Sequence, residues 1–153
     1  MILAEAELRE ALARERAAGK TIAWANGVFD ILHVSHVRYL QDAAKVADVL
    51  VVGINGDESV RMLKGPGRPL MPAHERAEIV DAIHGVAYVT IFEEKSPARL
   101  LQLLRPDFQC KGTDYTADSV PEAEIVKAYG GKVVIVGDPK DHSTTELLAK
   151  MRR

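Results

Sequence analysis

The stretch TIAWANGVFDILHVSHVRYL, Thr21 to Leu40, decides the fold. "TIAWA" (Thr21–Ala25) is an apolar run that reads as a strand. Asn26, Gly27, Val28, Phe29 and Asp30 then make a turn. From His36 to Val46 the spacing of Val37, Leu40, Ala43 and Ala44 gathers apolar residues on one side of a helix. A strand that passes through a glycine turn into a helix is a building unit of a parallel α/β sheet. The same stretch places backbone N–H groups and the positive end of a helix dipole at a strand's carboxyl end, where phosphate is favoured. His33 and His36 stand three apart at that helix entrance, so both can face one ligand. A His-x-x-His spacing alone supplies two metal ligands with no obvious third. Taken by themselves, the histidines read either as structural groups capping the helix or as phosphate contacts.

Outward from this stretch the alternation continues. "VLVVGI" (Val49–Ile54), "AYVTIF" (Ala87–Phe92), "DFQCK" (Asp107–Lys111) and "KVVIV" (Lys132–Val136) bring the strands to five. Val49–Ile54 is continuously apolar, as a strand covered on both faces must be. Helical patterns run over Glu5–Ala18, closed by Gly19, over Pro72–His84, from Ser96-Pro97 to before Pro106, over Pro121–Tyr129 and over Ser143–Met151. Asp57 reads as the N-cap of a helix from Glu58, with a sugar-hydroxyl contact as the other reading. The expected architecture is a Rossmann-like three-layer α/β/α fold. It has a doubly wound five-stranded parallel sheet in one domain over residues 1–153, with ligands at the strands' carboxyl ends near the topological switch point. "LKGPGRPLMP" (Leu63–Pro72) is the long Gly/Pro loop, and it is basic.

Composition narrows the function classes. The 153 residues are 47% hydrophobic and 27% charged, with a formal net charge of −2. That balance argues against charge-driven nucleic-acid binding, which needs a basic face. It leaves room for a small anion held by a local basic cluster. Cys110 is the single cysteine, which excludes an intrachain disulfide and reads as a buried small hydrophobe. No apolar run approaches the ~18 residues of a membrane span, and the N-terminus lacks the pattern of a signal peptide. A cytoplasmic location is expected.

The turn Gly27-Val28-Phe29-Asp30 followed by His33 and His36 resembles the nucleotidyltransferase superfamily with the His-x-Gly-His signature; Ser35 stands where that signature carries glycine. "LKGPGRP" with Lys64 and Arg68, "ERAEIVDAI" with Arg76, "KGTDYT" from Lys111, and "HSTTELL" with Ser143, Thr144 and Thr145 follow in the family's order over nearly the whole chain. Within the superfamily the motif order is similar to the bacterial adenylyltransferases that act on heptose 1-phosphate. Two further departures are Thr113, where glycine is frequent, and the sequence "DHSTT", where glycine often precedes the serine by two.

The resemblance implies transfer of an adenylyl group from ATP to a sugar 1-phosphate, with release of pyrophosphate. It implies His33, His36 and Lys64 as catalytic contacts. Gly27, Val28, Phe29, Asp30, Ser35, Arg76, Lys111, Gly112, Thr113, Ser143, Thr144 and Thr145 would border the nucleotide. Asn26, Asp57, Lys64 and Arg68 would border the sugar phosphate. It further implies Mg²⁺ bound chiefly by phosphates and water, a homodimer, and a separate sugar kinase acting upstream. Each residue also has a plainer reading: Asp30 as an N-cap, Phe29 as core, Lys64 as a solvated loop lysine, Arg76 in a surface pair with nearby acids, Ser143 in a capping box with Glu146, and Lys111–Thr113 as an ordinary turn. Two other functions compete: a cytidylyltransferase acting on glycerol 3-phosphate or a similar phosphoalcohol, and a non-catalytic nucleotide-binding module.

Overall fold

The computed structural model describes residues 1–138 and 144–152. In chain order the elements are α1 (Glu5–Ala17), β1 (Ile22–Gly27), α2 (Val34–Ala44), β2 (Val49–Asn55), α3 (Asp57–Lys64), α4 (Ala73–Asp81), β3 (Tyr88–Phe92), α5 (Ala98–Leu104), β4 (Phe108–Lys111), α6 (Ala123–Ala128), β5 (Lys132–Ile135) and α7 (Thr144–Met151). The five strands form one sheet in the order β3-β2-β1-β4-β5, and every ladder is parallel. The chain winds outward from β1 through β2 to β3, then crosses back to lay β4 and β5 on the other side. The winding direction therefore reverses between β1 and β4, as the doubly wound fold requires.

Alternation along β1 sorts the two faces. Ala23 and Ala25 join Leu40, Ala43, Ala77 and Val80, so α2 and α4 cover one face. Ile22 and Trp24 join Leu8, Leu12, Leu100, Leu101, Leu104 and Val126, so α1, α5 and α6 cover the other. Each such fully buried aliphatic side chain contributes roughly 2 kcal/mol relative to exposure. Gly53, in the middle of β2, makes room for the indole: a Cβ there would lie 2.4 Å from Trp24 Cζ2. Trp24 Nε1 donates in turn to Asn26 Oδ1 at 2.9 Å. Cys110 is buried, and burial pushes its thiol up to about 12, so it behaves as an inert core group.

Several boundaries differ from the sequence reading; β1 runs on to Gly27, two residues past the expected Ala25, and α4 stops at Asp81. Helix α2 begins at Val34, because His33, extended at φ −135° and ψ 177°, is its N-cap. Lys64 closes α3, so the Gly/Pro loop begins at Gly65 and Lys64 stands on a helix end. Asp57 is the first residue of α3 and Gly56 its N-cap, which corrects the N-cap expectation for Asp57. The β1–β2 ladder runs over six residue pairs, whereas β1 and β4 pair over Ala23–Phe108 and Trp24–Gln109.

Candidate active site

The carboxyl ends of β1, β2, β4 and β5 surround a cavity of about 380 Å³. Asn26 to Asp30 form its floor beside β1. His33, Ser35, His36 and Tyr39 enter from α2, Lys64 and Arg68 from α3 and the loop after it, and Lys111 to Tyr115 from the end of β4. Asn55, Val136, Gly137 and Asp138 complete the wall.

The His33 and His36 rings stack, with centroids 4.0 Å apart and planes 24° apart. Phe29 meets the His36 ring edge-on at 5.5 Å. The His33 backbone N–H donates to His36 Nδ1 at 3.3 Å. A neutral His36 therefore carries its proton on Nε2, as a donor suited to a phosphate oxygen. With α2 directing its positive end at the same place, the local field favours an anion.

Phe29 itself has φ +50°, a left-handed conformation that costs a bulky residue of order 1–3 kcal/mol. The groups on either side hold it there. Arg76, with no exposed surface, donates from Nη1 to Val28 O and Asn55 O, both at 2.7 Å, from Nε to Met71 O at 2.9 Å, and from Nη2 to Asp57 Oδ1 at 2.8 Å. The guanidinium is thus committed to three backbone carbonyls and a carboxylate beneath the cavity. Arg76 is an internal brace, and Asp57, which also accepts from Ala73 N–H at 2.9 Å, serves that brace; neither borders the cavity.

Asp30 is 2% exposed. Its carboxylate accepts from the N–H groups of Leu70 and Met71 and from Arg68 Nε, all at 2.8 to 3.0 Å. Burial pushes its pKa up, but the two amides and the Arg68 guanidinium together outweigh that and hold it below the usual Asp value. Asp30 thus lines the cavity as the anchor of the 65–72 loop, and its N-cap reading gives way to His33. The Arg68–Asp30 ion pair leaves Lys64, which is exposed, as the unneutralised charge on that rim; it forms no ion pair among the described residues.

Of the other expected residues, Gly27, Val28, Ser35, Lys111, Gly112 and Thr113 all border the cavity. Lys111 Nζ lies 5.2 Å from the Tyr115 ring centroid, a cation–π distance. Ser143 lies outside the described residues. Thr144 and Thr145 open α7, and the phosphate contact expected of the three falls outside what is described. Tyr39, Asn55 and Val136–Asp138 were not singled out from sequence. The available signal was position, since Val136–Asp138 follow directly on a strand's carboxyl end. Among the described residues no three His, Cys, Asp or Glu cluster as metal ligands, and no helix is long and apolar enough to cross a membrane.

A doubly wound parallel sheet with a cavity at its switch point, rimmed by Lys64, Arg68 and Lys111 and met by the N-terminus of α2, defines an α/β domain with a ligand-sized crevice at its strand ends. The sequence profile of the cytidylyltransferase-like family matches residues 24–150, and the chain belongs to that family. It is 45% identical over 144 residues to the bifunctional protein HldE of Syntrophotalea carbinolica, covering 94% of this chain and 29% of that protein. It is 48% identical over 139 residues to the bifunctional protein HldE of Geobacter metallireducens, covering 91% and 28%. The chain thus spans under a third of these curated relatives. Among solved structures, the lipopolysaccharide core biosynthesis protein from Thermoplasma volcanium superposes with a TM-score of 0.67 at 26% identity, covering 80% of this chain and all of that one.

Proposed function

We propose that this domain transfers the adenylyl group of ATP to a heptose 1-phosphate, giving an ADP-sugar for lipopolysaccharide or another surface glycan, and pyrophosphate. The observation that carries this reading is the stacked His33–His36 pair at the N-terminus of α2, facing a cavity rimmed by Lys64, Arg68 and Lys111. In the reaction a phosphate oxygen of the sugar forms a bond to the α-phosphorus of ATP, while the bond from that phosphorus to the bridging oxygen breaks. The electron pair leaves with pyrophosphate. The attacking oxygen is already anionic, so no general base is needed, and catalysis reduces to alignment and charge neutralisation.

In this reading His33, His36 and the start of α2 steady the α-phosphate oxygens. Lys64 bridges ATP and the sugar phosphate as a movable point charge. Arg68 borders the sugar phosphate with the donors it does not spend on Asp30. Lys111, Gly112 and Thr113 border the base, Asn26 the sugar phosphate, and Ser143, Thr144 and Thr145 the β- and γ-phosphates. No acidic cluster among the described residues fits a protein-held metal; a Mg²⁺ ion would be held by triphosphate oxygens and water, and would supply charge neutralisation there. The substrate must come from a sugar-phosphorylating enzyme. A cytoplasmic homodimer belongs to the same reading.

The test is pyrophosphate release with ATP or CTP, each paired with heptose 1-phosphate or glycerol 3-phosphate. Release with ATP and heptose 1-phosphate is expected. Release confined to CTP with glycerol 3-phosphate would overturn the assignment in favour of a cytidylyltransferase.

A further inference from the structure

We propose that Tyr39 is a positioning residue: its hydroxyl, bonded to the carbonyl of Cys110, fixes the histidine-bearing end of α2 against β4 across the switch-point crevice. The two strands that flank this crevice, β1 and β4, cease to pair after Trp24 and Gln109. Cys110 is the next residue of β4, and the Tyr39 hydroxyl donates to its carbonyl at 2.9 Å. A side chain thus spans the place where the ladder has ended.

Neighbouring contacts converge on the same point. Gly137, just past β5, lies against α2: a Cβ there would meet Tyr39 Cα at 3.4 Å, in van der Waals contact. Arg38 Nη1 donates to Asp138 Oδ2 at 2.8 Å, and Thr113 Oγ1 donates to Asp138 O at 2.9 Å. Two successive residues of α2 therefore grip the ends of β4 and β5. Tyr39 stands three residues after His36, on the same helix face, and lines the cavity with it. Fixing the tyrosine fixes the direction of the imidazole. Burial pushes the phenol's pKa well above its ordinary value, with the nearby Cys110, Asp114 and Tyr115 adding to the rise. The hydroxyl thus stays protonated and keeps its bond to the Cys110 carbonyl.

The catalytic consequence rests on the adenylyl-transfer reading; the positioning itself does not. Tyr39→Phe removes one oxygen and keeps the ring. The ¹⁵N signals of the imidazoles, recorded without ligand, are expected to shift for His33 and His36 and to stay in place for His74 and His84. In pyrophosphate release, kcat is expected to fall at least about 10-fold, the loss that small misalignments of reacting groups produce. KM for ATP should stay within about 3-fold, because none of the groups assigned to the base or the triphosphate is itself removed. Unshifted His33 and His36 signals overturn the proposal, whatever the rate does. If the parent protein releases no pyrophosphate with any substrate pair, the adenylyl reading fails, and the imidazole signals alone decide the role of Tyr39.

Discussion

Arg76 carries more of the site than its place outside the cavity wall suggests. Val28, Asn55 and Met71 each give it a carbonyl, and these belong to the β1 turn, the end of β2 and the loop before α4. Arg76→Met leaves those carbonyls without their donor, the Asn55 carbonyl in a fully buried place, while the Asp57 carboxylate keeps access to water; the loss is about 1–3 kcal/mol per buried carbonyl left unpaired. A denaturant melt should show that loss, and Arg76→Lys should not restore it, because one ammonium cannot reproduce a planar fork of donors. His33→Ala and His36→Ala are expected to behave oppositely. They should leave the melt nearly unchanged and slow pyrophosphate release by about 100-fold or more; near-normal rates in both would sink the proposed chemistry. Ser35 sits in the first turn of α2 facing the cavity. Ser35→Gly removes only a small side chain, so turnover of ATP should be retained or improved, and its loss would show that the hydroxyl has a role of its own.

At the scale of elements, the segment 65–72 is a loop made rigid by one carboxylate. Because the folded pKa of Asp30 is held below its unfolded value, the stability it contributes is fully present above the ordinary Asp range. It falls once pH drops below that range and is gone below the depressed folded value. The protection of the Leu70 and Met71 amides, taken relative to the intrinsic exchange rate at each pH, should therefore fall on acidification through this window. In Asp30→Asn the loop should already exchange faster at neutral pH, with little further change in acid. An unchanged exchange rate in that variant would mean that the loop is held by other groups.

Across the whole molecule, what sequence discloses depends on whether a residue's job is local. The strands were legible because a strand covered on both faces must be apolar throughout, as Val49 to Ile54 are. The grouping of His33, Ser35 and His36 at one cavity was legible because all three stand at a single helix entrance. The bracing contacts of Arg76 and Asp57 were not legible because the same side chains could equally face a ligand or a ring of carbonyls, and those contacts depend on the packing of α4 against β2. Tyr39, Gly137 and Asp138 escaped notice because their meeting depends on strand order, which no local pattern encodes. Occupancy should couple to the stability of the whole. ATP at 100 times its dissociation constant stabilises the folded state by about 2.7 kcal/mol, a rise of roughly 5 °C or more in the melting midpoint for a chain of this size. CTP should give a smaller rise, and equal rises would remove the argument for adenine preference. Trp24 offers a direct readout of the same event. It is the only tryptophan in the chain, and its indole N–H donates to Asn26, which borders the cavity. A ligand that draws the Asn26 amide away alters the polarity felt by the excited indole, so the protein contains its own unlabelled fluorescent reporter, and a titration followed by emission wavelength gives the binding curve.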